Sequence, residues 1–329
     1  MTKITRVLFP VGHGGFAAEI IDDKHLTIID CGSLGDRKRL SFYIDAIKNY
    51  GFKCVDRLFL THFDRDHVNC IKELIKKIGV REVVIPFIPN DMRYVYNFYT
   101  KGAYMNILDL FSNQKNGSEL NEVEHDSIIP YIEIWEWDAK CMLTPQDWQN
   151  LRKEFISKKL DVKKIMSSNY PAYLEQNSKT INGCFRSTFG KNGPNSKGLI
   201  VLSQKCNNTK TDICIIIRGC SQLLPAIHTG CLYTGDANLT KNIQVESHVK
   251  SIRHEQKMLL TQIPHHGSNK NSDNDFDTSF ESEYYFYCDK NDIRIQKNQQ
   301  LYNRLITTKQ LLGVRNSDMD LVLNLIVLH

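Results

Sequence analysis

The sequence predicts a mixed α/β fold in which sheets and helices form layers. Before Cys31, short apolar segments alternate with glycine-containing turns, a pattern typical of strands joined as hairpins. Further along, strand-sized apolar runs alternate with segments whose apolar residues recur at helical spacing, such as Leu40, Ile44 and Ile47. With 329 residues and a strand pattern that resumes late in the chain, we expect a single large domain over residues 1–329.

Composition indicates a globular protein with a substantial apolar core, since 41% of the residues are hydrophobic and 24% are charged. No apolar run is long enough to cross a bilayer, and the N-terminus lacks the apolar core of a signal peptide. We therefore expect a cytoplasmic protein with no membrane partner. The ten cysteines are scattered without a Cys-x-x-Cys pair, which favours buried reduced thiols over disulfides or a cysteine zinc site.

The N-terminal region begins with strands and then alternates strands with helices. The predicted strands are apolar runs between turns, and they cover residues 4–10, 16–22, 25–30, 55–60 and 82–86. The predicted helices cover residues 37–50 and 68–79.

Residues 88–195 differ in character from their surroundings, and we interpret them as a mostly helical insertion that caps the functional site. Aromatic residues crowd Tyr94 to Phe111, and Ile128 to Trp137 alternates enough to predict one strand. The strand pattern resumes after the insertion. Its predicted strands cover residues 198–203, 212–218, 231–233, 258–263, 284–288 and 321–328, and its predicted helices cover residues 239–249 and 299–312.

Within the insertion, Thr144 and Pro145 have the chemistry of a helix N-cap and first turn. The helix that they open carries a basic run from Arg152 to Lys164. A solvated helix face is the simpler interpretation of this run. The alternative is contact with a phosphate backbone through residues such as Lys153.

Potential metal ligands cluster between the predicted strand at 55–60 and the predicted helix at 68–79. They are His62, Asp64, Asp66 and His67. Packed elements on both sides would hold this loop rigidly, as a metal site requires. The alternative is a surface loop in which Asp66 caps the helix.

Two further predicted strands end in potential ligands. Asp236 follows the strand at 231–233, and His265 and His266 follow the strand at 258–263. We expect all three strand ends to gather along one edge of a sheet. A mixture of imidazole and carboxylate suits zinc, or manganese and iron where oxygen ligands dominate.

Five separated pieces of the chain resemble, in order, motifs of the metallo-β-lactamase superfamily. They are Val11-Gly12-His13-Gly14-Gly15, Ile29-Asp30-Cys31-Gly32, the loop from His62 to His67, Thr234-Gly235-Asp236 and His265-His266-Gly267-Ser268. More narrowly, the His-x-Asp-x-Asp-His, Thr-Gly-Asp and His-His-Gly-Ser motifs resemble the competence-type branch, which is related to DNA-internalisation proteins. The resemblance covers residues 1–86 and 198–270, and it implies an αββα sandwich with a two-metal site.

The resemblance also implies ligand roles. His62 and Asp64 would bind the first metal ion, and Asp66 and His67 the second. Asp236 would bridge both ions, and His265 would complete the second site. Most members of the superfamily have His where this chain has Asp64, so its first site is richer in oxygen. Two divalent ions are expected, with zinc favoured and manganese the alternative.

The resemblance also implies catalytic or binding roles for other residues. Asp66 and His266 are the candidate catalytic residues. His266 would donate a proton to the leaving group or contact a phosphate, although His265 and His266 could exchange roles. Asp30 would brace the loop rather than bind metal. The candidate substrate-binding residues are His13 in the matched glycine turn, Ser268 in the His-His-Gly-Ser motif and Lys153 in the basic run. Asn208 is a fourth candidate, because Asn207-Asn208 resembles an Asn-rich segment that precedes a strand in the competence-type branch.

These features predict a metal-dependent hydrolase in which a hydroxide shared by two metal ions attacks phosphodiester bonds of nucleic acid or a nucleotide. Two alternatives remain open. The same chemistry would hydrolyse a small ester, lactone or thioester. A catalytically degenerate protein would instead bind a protein partner through the aromatic-rich insertion.

Overall fold

The computed structural model describes residues 2–113, 119–123, 126–132, 135–190, 193–206, 215–218, 228–240, 242–315 and 321–327. Within these residues the strands are β1 (Thr2–Leu8), β2 (Ala17–Ile21), β3 (His25–Ile29), β4 (Val55–Phe59), β5 (Val80–Pro86), β6 (Glu119–Val123), β7 (Asp126–Ile132), β8 (Trp135–Cys141), β9 (Leu199–Lys205), β10 (Ile215–Arg218), β11 (Cys231–Tyr233), β12 (Met258–Gln262), β13 (Ser282–Asp289), β14 (Leu311–Arg315) and β15 (Leu321–Val327).

The helices cover the connections between strands. They are α1 (Arg37–Tyr50), α2 (Arg65–Val68), α3 (Ile71–Lys77), α4 (Arg93–Tyr99), α5 (Ala103–Ser112), α6 (Pro145–Ser157), α7 (Val162–Ile165), α8 (Pro171–Gln176), α9 (Ser178–Phe189), α10 (Ile243–Ile252), α11 (Pro264–Gly267), α12 (Phe276–Ser279), α13 (Ile293–Gln296) and α14 (Gln299–Thr307). A short 3₁₀ helix covers Gly193–Lys197.

The strands form two sheets, each antiparallel in one half and parallel in the other. The first sheet has the order β10-β15-β1-β2-β3-β4-β5-β6, and its parallel half begins at the β3–β4 pair. The second has the order β14-β13-β12-β11-β9-β8-β7, and its parallel half runs from β11 to β14. Parallel neighbours need crossover connections, which helices such as α1 and α10 provide. The C-terminal ends of β4, β11 and β12 therefore carry loops that lead into helices.

The two sheets face each other across the main core, and helices cover their outer faces. Phe59 of β4 lies with its ring centroid 6.4 Å from that of Trp137 in β8, so the first sheet contacts the second directly. Side chains alternate between the two faces of a strand. In β11, Tyr233 belongs to the main core, whereas Leu232 packs in a second apolar cluster with Val245 of α10 and Leu301 of α14. This arrangement confirms the predicted αββα sandwich.

A buried ion pair joins the two sheets at the centre of the sandwich. Arg6 of β1 and Glu19 of β2 are fully buried, with 2.7 Å between Arg6 Nε and Glu19 Oε1. From the second sheet, Trp137 Nε1, Ser203 Oγ and Tyr233 OH donate to the Glu19 carboxylate at 2.9, 2.6 and 3.0 Å. A buried carboxylate is stable only when its oxygens are satisfied in this way.

Several predicted elements agree closely with the structure because their end signals are local. Helix α1 begins after Asp36, whose side chain accepts a hydrogen bond from the Arg39 amide, and ends at Gly51, which has a φ of 117°. Helix α6 begins at Pro145 with a capping box formed by Thr144 and Asp147. The predicted basic helix is nevertheless two helices, because α6 ends at Ser157 and α7 begins after Asp161.

Other elements differ from the prediction where pairing between distant strands decides the structure. The predicted strand at 128–137 corresponds to two antiparallel strands, β7 and β8. The predicted helix at 299–312 ends at Thr307, and β14 begins at Leu311 because it pairs with β13. The segment taken as an insertion supplies β6 to the first sheet and β7 and β8 to the second, so its strands are integral to the sandwich.

Two composition-based expectations can be compared with the described residues. The cysteines at 31, 54, 70, 141, 184, 206, 231 and 288 are free, as the scattered spacing predicted for them. None of the described helices has the length and apolar character needed to span a bilayer.

Candidate metal centre

The predicted metal ligands come together at one end of the sandwich, between the two sheets. His62 and Asp64 follow β4 of the first sheet, and Asp66 and His67 lie in α2. Asp236 follows β11 of the second sheet, and His265 and His266 lie in the turn of α11 after β12. The prediction that the three strand ends lie along one edge of a single sheet is therefore wrong, because β4 belongs to the first sheet and β11 and β12 belong to the second.

The carboxylate of Asp236 occupies the centre of the cluster. Its Oδ2 lies 3.7 Å from His62 Nε2 and 3.7 Å from His265 Nε2. Its Oδ1 lies 3.5 Å from His67 Nε2 and 3.8 Å from His266 Nε2. Each oxygen thus faces a different pair of imidazoles, which is the position that a bridging carboxylate would take.

Asp64 and Asp66 extend the two halves of the cluster. Asp64 Oδ2 lies 4.0 Å from His62 Nε2, and its side chain is about half exposed. Asp66 Oδ2 lies 3.3 Å from His266 Nε2 in a largely buried position. One half therefore contains His62, Asp64 and His265, and the other contains Asp66, His67 and His266. This grouping favours the exchanged roles of His265 and His266 that the sequence left open.

Buried atoms at the centre lack hydrogen-bond partners among the described residues. They are His62 Nε2, His67 Nε2 and Asp236 Oδ1. Buried polar atoms are almost always satisfied, so such a cluster requires an explanation. Imidazole nitrogens and carboxylate oxygens converging on one point are the ligands that zinc and manganese take. The residues present fit a divalent cation site.

Hydrogen bonds to Nδ1 orient all four imidazoles in the same way. His67 Nδ1 lies 2.7 Å from Asp30 Oδ2, and His266 Nδ1 lies 2.7 Å from the carbonyl oxygen of Cys288. His265 Nδ1 lies 2.9 Å from Asn271 Oδ1, and His62 Nδ1 lies 3.0 Å from Thr61 Oγ1. With Nδ1–H donating to these acceptors, each ring directs its Nε2 atom towards the centre.

Asp30 has the bracing role that the sequence predicted. Its Oδ1 accepts the Thr61 amide at 2.8 Å, and its Oδ2 accepts both the Thr61 hydroxyl and His67 Nδ1 at 2.7 Å. It thereby connects the end of β3 to the metal loop. Asp30 also has a φ of 56°, a left-handed conformation that is uncommon outside glycine.

The electrostatics of the cluster keep the carboxylates of Asp236 and Asp66 ionised. Burial alone would raise the pKa of Asp236, but the surrounding His67, His62 and His266 hold this pKa well below its usual range. Burial likewise opposes ionisation of Asp66, whereas His266 and His67 lower the pKa of this carboxyl. Burial disfavours a charged His67, but Asp30, Asp236 and Asp66 raise its pKa well above the usual value. The centre is therefore built to hold positive charge.

The turn after β12 explains how two adjacent histidines both reach the centre. His265 and His266 have φ values of 49° and 57°, and Gly267 follows with a φ of 82°. Successive left-handed residues are costly, and such strain is typical of functional sites. A Cβ on Gly267 would lie 2.9 Å from Ile295 Cβ, so glycine is required there for space as well as conformation.

The N-terminal glycine turn packs against the metal loop. The Gly15 amide donates to the carbonyl of Asp66 at 3.1 Å. A Cβ on Gly15 would lie 2.7 Å from His67 Nδ1 and 2.9 Å from Asp30 Oδ2. Glycine is thus required at position 15 of the predicted turn, because it lets the backbone approach the His67 ring closely.

His13, predicted to face the site, does lie beside it. Its Nε2 is 3.5 Å from Asp66 Oδ2, and its ring centroid is 4.1 Å from that of His266. Arg294 donates to His13 Nε2 at 3.1 Å, and Asp289 Oδ1 lies 3.5 Å from His13 Nδ1. The sequence contained no motif that would have identified Arg294 or Asp289, because both reach the site only through the packing of β13 and α13.

The other predicted substrate-binding residues are less close to the centre. The backbone amide of the half-buried Ser268 donates to the His265 carbonyl at 3.1 Å, so this residue closes the histidine turn. Lys153 is exposed on α6 and has no contact with the metal cluster. Asn208 lies outside the described residues.

A cavity of about 620 Å³, here called the metal-side cavity, opens beside Asp64 and Asp66. Its cations are Arg65, Lys72 and Lys101, and its apolar lining includes Tyr99. The sequence placed none of these four residues in the site. Arg65 stands inside the metal motif, which was an available signal, whereas the α4–α5 segment that carries Tyr99 and Lys101 is positioned by tertiary packing.

Comparisons with known proteins agree with this geometry at the level of the superfamily. The model of the metallo-beta-lactamase superfamily matches residues 12–161, slightly less than half of the chain. No curated protein matches the chain. The superfamily resemblance is therefore confirmed for the segment that carries the metal loop, while the competence-type branch remains a finer expectation.

Solved structures with similar folds are distant in sequence. They include CmlA, a diiron beta-hydroxylase from Streptomyces venezuelae (10% identity, TM-score 0.49, 99% of this chain and 54% of that chain). They also include the metallo-beta-lactamase fold protein YhfI from Bacillus subtilis (9% identity, TM-score 0.47, 97% of this chain and 99% of that chain). A third is a diphosphatase from the PhnP family (10% identity, TM-score 0.48, 99% of this chain and 100% of that chain). The chain spans about half of the hydroxylase. Likenesses at this level carry no conclusion about activity.

Proposed function

We propose that this chain is a metal-dependent hydrolase of phosphodiester bonds in nucleic acid or a nucleotide. The central observation is the buried Asp236 carboxylate, which faces the Nε2 atoms of four imidazoles. The cations Arg65, Lys72 and Lys101 of the adjacent metal-side cavity favour an anionic substrate over a neutral one.

In this proposal, seven side chains hold two divalent ions. His62, Asp64 and His265 belong to the first site, Asp66, His67 and His266 belong to the second, and Asp236 lies between them. When bound, such ions polarise a phosphoryl oxygen and lower the pKa of water. Four imidazoles with three carboxylates suit zinc, and the carboxylate oxygens would also accept manganese.

The chain's own side chains would orient the substrate. Arg65 projects into the metal-side cavity next to Asp64 and Asp66, so its guanidinium is placed to bind a phosphate oxygen. Arg294 and His13 lie on the other side of Asp66 and are connected by a 3.1 Å hydrogen bond. Arg294 donates to His13 Nε2 and keeps further N–H groups that would donate to a leaving-group oxygen.

The aromatic residues that suggested a docking surface are accounted for by packing. Tyr96, Tyr104 and Phe111 of that segment are buried within the main core, and its partly buried aromatic residues pack against this core: Tyr94, Phe98 and Tyr99. A protein partner at this segment would therefore need other contacts. This packing weakens the argument for the non-enzymatic alternative.

The proposal is tested by metal content and by substrate choice. Protein purified without added metal should contain zinc or manganese, and it should hydrolyse bis-nitrophenyl phosphate faster than nitrophenyl acetate. Asp66→Ala combined with His67→Ala should remove metal and lower the activity by at least about 100-fold. His25→Ala is the matched control, since His25 is 43% exposed at the start of β3 and should change neither property. Faster hydrolysis of the carboxylic ester would favour the ester, lactone or thioester alternative.

A further inference from the structure

The metal-side cavity continues into a second cavity that leads away from the metal ligands. The second cavity has a volume of about 930 Å³ and lies between α3 and α5. Lys72, Asn106 and Leu110 line both cavities, so the two form one continuous depression, here called the α3–α5 cleft. Small-ligand pockets usually measure about 300–1,000 Å³, and two joined cavities exceed what one small substrate fills.

Cations are distributed along the α3–α5 cleft from the metal end outward. Arg65, Lys72 and Lys101 line the metal-side cavity, and Lys76 lines the second. All four side chains are exposed, and none forms an ion pair with another described residue. The neighbouring Lys77 differs, because its Nζ lies 2.8 Å from both Asp45 and Glu73. The four unpaired cations are therefore available to a ligand.

The spacing of these cations suits a linear polyanion. Lys72 and Lys76 are four residues apart on α3, so they lie on the same face about 6 Å apart along its axis. That separation is comparable to the distance between successive phosphates of an extended strand. Asp109 is the carboxylate of the second cavity, and it lies on the opposite wall in α5.

An aromatic ring is available at the metal end of the cleft. Tyr99 is half-buried in the lining of the metal-side cavity, and its ring stacks on Phe185 with centroids 4.3 Å apart. This contact holds the ring rigidly. Rigid aromatic rings beside a cationic track are the usual platform for unpaired bases.

We propose that the α3–α5 cleft binds one strand of nucleic acid, with its backbone along Lys72 and Lys76 and one phosphodiester beside Asp64 and Asp66. This inference rests on the proposed function, because it names the substrate class of the same site. It assigns substrate binding to α3 rather than to Lys153 and the basic run of α6 and α7.

Binding without turnover provides the test. A fluorescent 12-nucleotide oligothymidylate with hydrolysis-resistant phosphorothioate linkages is titrated with the protein as purified, at several salt concentrations. Each lost phosphate contact to a single strand should make the slope d log K/d log[salt] less negative by about 0.7, which corresponds to about fivefold weaker binding at 0.1 M salt. Lys72→Gln and Lys76→Gln should each show this change. Lys257→Gln is the matched control, because Lys257 is exposed just before β12, at the end of that strand remote from His265.

The possible outcomes separate this inference from the proposed function. Absence of binding at low salt, or equal losses in all three variants, would overturn the cleft assignment. A duplex of the same length that bound as tightly would also overturn it. Hydrolysis of bis-nitrophenyl phosphate by the metal-loaded protein is measured separately. Lysine-dependent binding by a protein that hydrolyses nothing would support the cleft while contradicting the proposed function.

Discussion

His266 Nε2 lies 3.3 Å from Asp66 Oδ2, although 200 positions separate the two residues in the chain. The carbonyl of Cys288 fixes the ring from its other side through Nδ1 at 2.7 Å. His266 thus belongs with the second half of the cluster, whereas His265 and His62 both face Oδ2 of Asp236. The following predictions depend on this division.

Combined substitutions should reveal which histidine completes which site. Asp64→Ala with His265→Ala removes two ligands from one half of the cluster, so the protein should retain about one equivalent of metal per chain. Asp64→Ala with His266→Ala removes one ligand from each half, and metal content should fall well below one equivalent. Elemental analysis after dialysis measures both. The reverse order of metal contents would restore His265 to the second site.

Asp30→Asn should weaken metal binding while preserving the fold. The substituted amide can still accept the Thr61 amide hydrogen bond that Oδ1 accepts at 2.8 Å. Its NH₂ group would face His67 Nδ1, however, and would favour the tautomer that carries hydrogen on Nε2. Zinc affinity measured by chelator competition should fall by about 10–100-fold. An unchanged affinity together with an unchanged melting temperature would show that Asp30 does not set the His67 tautomer.

Gly15→Ala should affect the metal site more than global stability. The added methyl group would meet His67 Nδ1 at 2.7 Å, and neither the ring nor the Asp30 side chain can move without losing their mutual hydrogen bond. We expect metal affinity to fall by at least about tenfold.

Gly183→Ala is the matched control for this substitution. A Cβ at Gly183 meets nothing within 4 Å, and the residue lies inside α9. This change should leave metal affinity unchanged and stabilise the protein by about 0.5–1 kcal/mol, because alanine is the better helix former. Equal metal loss in both variants would contradict the contact between Gly15 and the metal loop.

Glu19→Gln should destabilise the protein without altering the metal ligands. It leaves the fully buried Arg6 without its anionic partner, for which the expected cost is about 3–5 kcal/mol in the free energy of unfolding. Asp23→Asn at the exposed Lys3–Asp23 pair should cost about 0–1 kcal/mol. Urea denaturation at neutral pH measures both. Arg6 also donates to the carbonyl oxygens of Thr229 and Ser203, and similar small costs for the two variants would show that these carbonyls alone satisfy it.

The sequence by itself determined the elements whose signals are local. The Asp36 cap and Gly51 mark the ends of α1, and the apolar run before His62 predicts β4. It also identified the residues of the metal cluster, because potential ligands recur at the ends of separate strands. The αββα arrangement was implied by the resemblance of those motifs to the metallo-β-lactamase superfamily.

Only the tertiary structure decided how these residues face one another. The left-handed turn at His265 and His266 directs the two rings to opposite oxygens of Asp236, and the Cys288 carbonyl that orients His266 comes from β13. Likewise, Lys72 rather than Lys153 lines the cleft, because α3 packs directly behind the metal loop. Ring orientation and cleft lining depend on contacts between segments far apart in the chain, and periodicity and motif spacing carry no information about such contacts.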